Sequence, residues 1–337
     1  MQLNFETIKA IACGAVQIKQ TEKGVRFYRF TRQQSDVYKE SNEAFFNKSK
    51  LTAGVKLRFR TNSKRLFIKA FMQPSNTRLF YSWDVYVGDN LVGTMDNFSH
   101  MELSSDYSGV KFYAGEASAE FDLGEGEKTV IVHLPWSMKT YLQEIALDDG
   151  AFVEPVKYGK KMLVLGDSIT CGLDALHPSM RYISRLCEAL DAEEFNKAIG
   201  GERICPDLIR QADDFVPDYI LVAYGTNDWR CSLKETFFQD CESFFQVLHD
   251  RYPDVMTFVV TPIWRADLDA HSYFDSFHDI EDHMRKVTSD MKNVHVIRGF
   301  DFVPHGTEYF GDSRLHPNEA GFDHYFRNLY TEIQKYI

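Results

Sequence analysis

Positive charge is scarce in this sequence. Its 337 residues hold 38 Lys and Arg against 49 Asp and Glu, a formal net charge of −11. A nucleic-acid binder needs a basic surface to displace counterions from phosphates, so no nucleic-acid partner is expected. Docking on anionic lipid is disfavoured for the same reason. Long apolar runs are missing too, and no window reaches the roughly 18 residues of a membrane span. The opening stretch, MQLNFETIKAIACGAVQIKQ, lacks a basic start followed by an apolar segment, so no signal peptide is read. Cysteine is sparse: Cys13, Cys171, Cys187, Cys205, Cys231 and Cys241 are scattered with no CxxC pair. That pattern points to neither a zinc site nor a disulfide framework, and it fits reduced thiols in a cytoplasmic protein. Internal repeats, low-complexity tracts and a glycine-rich phosphate loop are also absent. The 44% hydrophobic and 14% aromatic content then argues against disorder and for well-filled cores. The length suits about two domains at roughly 150 residues each.

The two halves carry different periods. Up to about residue 155, short runs alternate. Val55, Leu57 and Phe59 interleave with Lys56, Arg58 and Arg60, which gives one buried and one wet face. A second run spans Leu66 to Phe71, and a third Thr129 to Leu134. Trp83 to Val87 is followed by Gly88-Asp89-Asn90 and then Leu91-Val92, a hairpin signal. Residues 1–155 therefore read as an all-β sandwich of the jelly-roll kind. From about residue 156 to 337 the runs are wholly apolar: Met162 to Leu165, Tyr219 to Ala223, Met256 to Val260 and Val294 to Ile297. Strands without alternation are buried on both faces, as in a parallel sheet. Helical stretches at Leu233 to Arg251 and Phe274 to Met291 lie between them, and another is expected from Pro317 onward. Alternating β and α predicts a doubly wound parallel sheet, three layers α/β/α. Glu154-Pro155 is the expected hinge.

Four blocks lie at the ends of predicted strands or before the last helix, where an open α/β sheet binds its ligands. Gly166-Asp167-Ser168 follows the first apolar strand and places a hydroxyl at a helix start. Asn196-Lys197-Ala198-Ile199-Gly200-Gly201 offers glycines that let a backbone N–H approach a substrate oxygen. Gly225-Thr226-Asn227-Asp228-Trp229 offers a side-chain amide at Asn227, with Asp228 able to hold the loop. Gly311-Asp312-Ser313-Arg314-Leu315-His316-Pro317 offers an imidazole with an acid nearby. A serine hydroxyl needs a base to take its proton, and the base needs a carboxylate to fix its tautomer. Each block alone is equally well a turn, an Asx motif or a structural histidine.

In order and together, these blocks resemble the SGNH (GDSL-type) serine esterase family, from roughly Lys160 to the end. The resemblance implies Ser168 as nucleophile, His316 as base, and the Gly201 N–H and Asn227 amide as oxyanion donors, with no metal or cofactor. One departure stands out. The family's acid lies three residues before the histidine, where this chain has Ser313, and Asp312 lies four before. Asp312 across a one-residue bulge, another acid such as Asp301 or Glu308, and a Ser–His dyad are the three readings; Asp312 is preferred. A β-sandwich ahead of such a domain resembles two-domain bacterial carbohydrate esterases, which implies acetylated sugars as substrates. Asp167 and Asp228 are read as supporting the site, and Trp229 and Trp264, after strand ends, as pocket residues able to stack on sugar rings.

No Gly-x-Ser-x-Gly elbow occurs, which argues against an α/β-hydrolase proper. His271, His278 and His283 lie among acids without a known ligand spacing, and a wet helix face is the better reading. His177 is read as a loop residue near the pocket. The rivals are an acyltransferase using the same residues, a carbohydrate-binding protein that has lost activity, and a phospholipid-directed lipase. The last is disfavoured because no amphipathic lid segment is found. Oligomeric state is not legible.

Overall fold

The computed structural model describes residues 1–103, 107, 110–211 and 213–337. In the N-terminal half the strands are β1 (Ala12–Cys13), β2 (Gln17–Thr21), β3 (Gly24–Tyr28), β4 (Lys56–Thr61), β5 (Arg65–Pro74), β6 (Ser82–Val87), β7 (Asn90–Asp96), β8 (Gly115–Asp122), β9 (Lys128–His133), β10 (Met138–Leu147) and β11 (Glu154–Pro155). They form two antiparallel sheets. One runs β1-β4-β9-β6-β7 with β11 paired to β4; the other runs β2-β3-β10-β5-β8. Alternation drives the stacking. Along β5, Leu66, Ile68, Ala70 and Met72 turn inward and are fully buried. They meet Leu57, Phe59, Val130 and Val132 of the facing sheet in one shared core. The result is a β-sandwich.

Three features differ from the sequence reading. Helices α1 (Phe5–Ile11), α2 (Arg32–Ser41) and α3 (Glu43–Lys48) interrupt the half expected to be all β. Glu154-Pro155 is not a free hinge: it pairs with β4, and Arg60 holds Glu154 at 2.6 Å. Lys56, expected on a wet face, is 1% exposed because it reaches Glu188 of the other half at 2.6 Å.

The C-terminal half holds parallel strands β12 (Lys160–Gly166), β13 (Ala192–Asn196), β14 (Tyr219–Ala223), β15 (Met256–Val260) and β16 (Val294–Ile297), in the order β13-β12-β14-β15-β16. Its helices are α4 (Ser168–Cys171), α5 (Tyr182–Ala189), α6 (Pro206–Ile209), α7 (Thr226–Cys231), α8 (Lys234–Arg251), α9 (Asp279–Thr288) and α10 (Glu319–Ile333). The apolar strands are covered on both sides. Met162 and Val164 join a core with α5 and α10, while Leu163 and Leu165 join another with α8 and α9. Helix α8 buries Phe237, Cys241, Phe244, Phe245 and Leu248, one stripe at helical spacing. α9 is shorter than the expected Phe274 to Met291. Pro317 lies outside α10, whose cap is Asn318, accepting from the Gly321 N–H at 3.1 Å. The strand order reverses between β12 and β14, so a crevice opens at their carboxyl ends.

The halves are joined by buried polar contacts as well as apolar ones. Arg29 donates to the backbone oxygens of Asn196 and Ala198 at 2.7 and 3.1 Å. Trp136 donates to the Ala175 oxygen at 2.7 Å. Ala53, Phe80, Phe98 and Trp136 pack on Cys171, Leu173 and Ala198. Among the described residues no helix is long and apolar enough to cross a membrane. All six cysteines are free thiols.

Candidate active site

β12 ends at Gly166, and Asp167 caps α4 by accepting the Ile169 N–H at 2.9 Å. The chain then turns at once into Ser168, whose N–H belongs to the first helical turn and has no intrahelical partner. Burial pushes the Asp167 carboxyl up to about 6. Ser168 is 3% exposed. Its Oγ lies 2.9 Å from His316 Nε2, and His316 Nδ1 lies 2.7 Å from Asp312 Oδ2. With Nδ1–H donating to the carboxylate, Nε2 is left to accept the serine proton.

The four-residue spacing between Asp312 and His316 is absorbed locally. Ser313 sits in the left-handed region at φ 54°, which shortens the path of the loop. Asp312 Oδ1 accepts the N–H groups of Arg314, Leu315 and His316 at 3.0, 2.7 and 3.0 Å. One oxygen thus fixes the loop and the other holds the imidazole. Burial alone would raise the Asp312 pKa, but the hydrogen bond and charge of His316 and these N–H groups outweigh it, and the carboxyl ends well below the usual range. Of the other acids considered, Asp301 pairs with Arg298 and His305, and Glu308 is exposed; neither touches His316.

A second carboxylate was not legible in the sequence. Asp174, wholly buried, lies 4.0 Å from His316 Nδ1 and is gripped bidentately by Arg78 of the β-sandwich. It is too distant to bond the imidazole, and Arg78 balances its charge.

The glycine and amide blocks meet at Glu202, and Gly200 lies against Ser168, whose Cβ is 3.8 Å from where a Cβ on Gly200 would stand. Gly201 adopts φ +88°, which an L side chain rarely takes, and among the described residues its N–H has no acceptor. The Asn227 amide donates one hydrogen to the Glu202 oxygen at 2.9 Å, leaving its second for a ligand. Asp228 accepts the Ile204 N–H at 3.2 Å and so ties α7 to the loop after Gly201; burial pushes it up to about 7. Glu202 accepts hydrogen bonds from the hydroxyls of Tyr38 and Tyr224.

Two expected pocket residues are placed differently. Trp229 is 2% exposed, with the Arg265 guanidinium 4.8 Å from its ring centre and Phe277 at its edge, so it offers no face to a sugar. Trp264 is half-buried and stacks on His305 at 5.2 Å, which takes one of its faces. His177 is engaged by Glu319 at 2.7 Å. His283 is buried and stacked on Phe238, while His271 and His278 are exposed; the three do not converge.

Residues 164–324 match the GDSL-like Lipase/Acylhydrolase family. The match lies within the C-terminal half and takes in the strands and loops of the candidate site. Solved structures resemble the chain well beyond those residues. A salicylyl-acyltransferase, SsfX3, from a tetracycline biosynthetic pathway superposes with TM-score 0.78 at 21% identity, covering 96% of this chain and 94% of its own. A GDSL-like lipase of Bacteroides ovatus gives 0.76 at 17%, covering 99% and 97%. A family two carbohydrate esterase from Clostridium thermocellum, solved with cellohexaose, gives 0.63 at 15%, covering 85% and 93%. At these identities the likeness is one of fold: a β-sandwich joined to a GDSL-like domain. No curated protein matches the chain by sequence.

Two outcomes are expected of the supporting residues. Asn227→Ala lowers turnover by about two to three orders of magnitude with little change in KM, as for a lost oxyanion donor; a change confined to KM makes it a binding residue instead. Glu202 is raised by burial from 4.5 to about 8. A carboxyl raised on folding costs no stability below its unfolded value, and the cost grows as pH rises toward the folded value. Glu202→Gln removes that titration. Its melting temperature relative to the parent should therefore climb between about pH 4.5 and pH 8 and then level off. A difference that is flat with pH would mean Glu202 is charged in the fold.

Proposed function

We propose that this protein is a serine esterase that hydrolyses short-chain, acetyl-type esters of carbohydrates through an acyl-serine intermediate. The reading rests on one observation: the hydrogen-bonded line from Asp312 through His316 to the Ser168 hydroxyl.

His316 Nε2 takes the Ser168 proton as Oγ attacks the ester carbonyl carbon. The carbonyl oxygen becomes an oxyanion held by the N–H groups of Ser168 and Gly201 and by Asn227. Asp312 stabilises the imidazolium so formed. Collapse breaks the ester C–O bond, and His316 returns the proton to the leaving alcohol. Water then attacks the acyl-serine, giving its proton to His316, and the acid departs as Oγ recovers that proton.

The carbohydrate-esterase structure supports a sugar ester as the alcohol part. The tryptophans lend less support than their sequence positions imply. A second reading, transfer of the acyl group to an alcohol in place of water, is favoured by the acyltransferase structure, which resembles this chain over more of its length. Chromogenic esters of graded chain length, run beside acetylated sugars, test the proposal. Acetyl esters should be cleaved at least as well as octanoyl esters, and acetylated sugars should release acetate. In a deep apolar slot each methylene of a longer chain would add about 0.8 kcal/mol. A steady rise toward octanoyl with no activity on any acetylated sugar rules out the carbohydrate substrate. Added sugar alcohols acylated in preference to hydrolysis would establish the transferase reading.

A further inference from the structure

The loop carrying Gly201 is built against the N-terminal half. Before it, the Ile199 N–H donates to the Gly166 oxygen at 3.1 Å, and Arg29 holds the Ala198 oxygen. After it, the Glu202 N–H returns to the Ile199 oxygen at 3.1 Å, and Asp228 holds Ile204. The peptide between Gly200 and Gly201 has no such backbone anchor among the described residues. It is flanked by two glycines, the residues that least resist a peptide rotation. A rotated peptide would exchange the directions of its carbonyl and its N–H.

One side chain opposes that rotation. Lys48, the last residue of α3, donates from Nζ to the Gly200 oxygen at 2.6 Å across 152 residues of sequence. The Gly200 C=O and the Gly201 N–H belong to one planar trans peptide and point in opposite directions. Fixing the carbonyl on Lys48 therefore fixes the N–H on the other side. Distances place Lys48 at the site itself. Its Nζ and the Ser168 Cβ each lie 3.8 Å from the position a Cβ on Gly200 would occupy. Phe45, one turn earlier on α3, lies 3.7 Å from the equivalent position on Gly201.

The electrostatics are unusual for a lysine. It is half-buried, and among the described residues it has no carboxylate partner. Burial holds its pKa below the ordinary lysine value. A partly desolvated ammonium without a counter-ion costs free energy, a local cost of the kind proteins carry at functional sites. An ammonium on the carbonyl also polarises the amide and strengthens the N–H as a donor.

We propose that Lys48 is a positioning residue of the oxyanion hole: it orients the Gly200–Gly201 peptide so that the Gly201 N–H faces the reacting carbonyl. The β-sandwich half, through α3, is then part of the catalytic apparatus. The proposal rests on the serine-esterase reading of the site.

The test uses the full chain with a small uncharged chromogenic acetate, on which the parent is run first. Lys48→Met should lower kcat by about 10- to 100-fold, less than loss of a donor itself, with KM within about twofold. Lys48→Cys should show the same loss. Alkylation with bromoethylamine, which rebuilds an ammonium at lysine length, should recover most of it, with the parent treated alongside as control. Unchanged kcat in Lys48→Met overturns the proposal. So does a loss confined to KM and to negatively charged esters, which would make Lys48 a substrate-binding residue. The crystal structure of Lys48→Met gives an independent reading. The Gly200 carbonyl should be rotated or split between orientations; a single, parent-like orientation overturns the proposal. A parent inactive on every ester removes the esterase reading, while the peptide's orientation in that crystal still decides the role of Lys48.

Discussion

Ser168→Ala removes ester hydrolysis, a loss of about five to six orders of magnitude in kcat, and leaves the melting temperature close to that of the parent. The size follows from the covalent step. Without Oγ no acyl-enzyme forms, and only the oxyanion donors remain to assist water. The fold is indifferent to the change. Among the described residues Ser168 spends its side chain on His316 alone, while α4 is started by the Asp167 carboxylate and closed by Gly172 in the left-handed region. Matched melting curves with turnover at background are the expected pair. Substantial hydrolysis by the alanine variant would assign the chemistry to another group.

Asp312→Asn lowers activity by up to about four orders of magnitude. The asparagine can keep its oxygen on the three N–H groups of the loop, so the loop should persist. Its amide nitrogen then faces His316 Nδ1 and donates to it. That places the ring proton on Nε2, where a base is needed. Asp174 cannot take over, since it stands 4.0 Å away and is held by Arg78. The pH dependence follows from the depressed Asp312 pKa. A carboxyl lowered on folding contributes stability that is complete above its unfolded value, about 3.9, and is lost as pH falls through its folded value. Asp312 therefore stays ionised across the working range. The asparagine variant should be less stable than the parent at neutral pH and should converge with it in strong acid. Activity within about threefold of the parent would leave a Ser–His dyad as the working site.

The parallel sheet was legible because its strands are covered on both faces and so read as unbroken apolar runs. The blocks carrying Ser168, Asn227 and His316 were legible because a doubly wound fold puts its chemistry just past strand ends, next to turn residues that stand out in one dimension. The N-terminal helices were not. α2 buries only Gln34 and Tyr38, and α3 buries no side chain fully, so no apolar period marks them. A finer signal was present in Thr31 and Gln34, which form a capping box.

Lys48, Arg29 and Arg78 left no local trace. Each acts on a partner roughly a hundred residues or more away, and a basic residue on a polar segment reads as solvated surface. Trp229 shows the reverse error. It sits at a strand end where a stacking aromatic is plausible, but Arg265, set by its bonds to Thr226 and Asp267, covers it. Ser313 carries the same lesson at smaller scale: the odd spacing to His316 is visible in the sequence, but the left-handed backbone that resolves it is not.

The most direct measurement is to react the protein with a serine-directed phosphonate and map the adduct by peptide mass spectrometry. One equivalent should be incorporated, on the peptide bearing Ser168, with activity lost in proportion and no labelling of Ser168→Ala. An adduct on any other residue, or full activity with Ser168 labelled, would contradict Ser168 as the nucleophile.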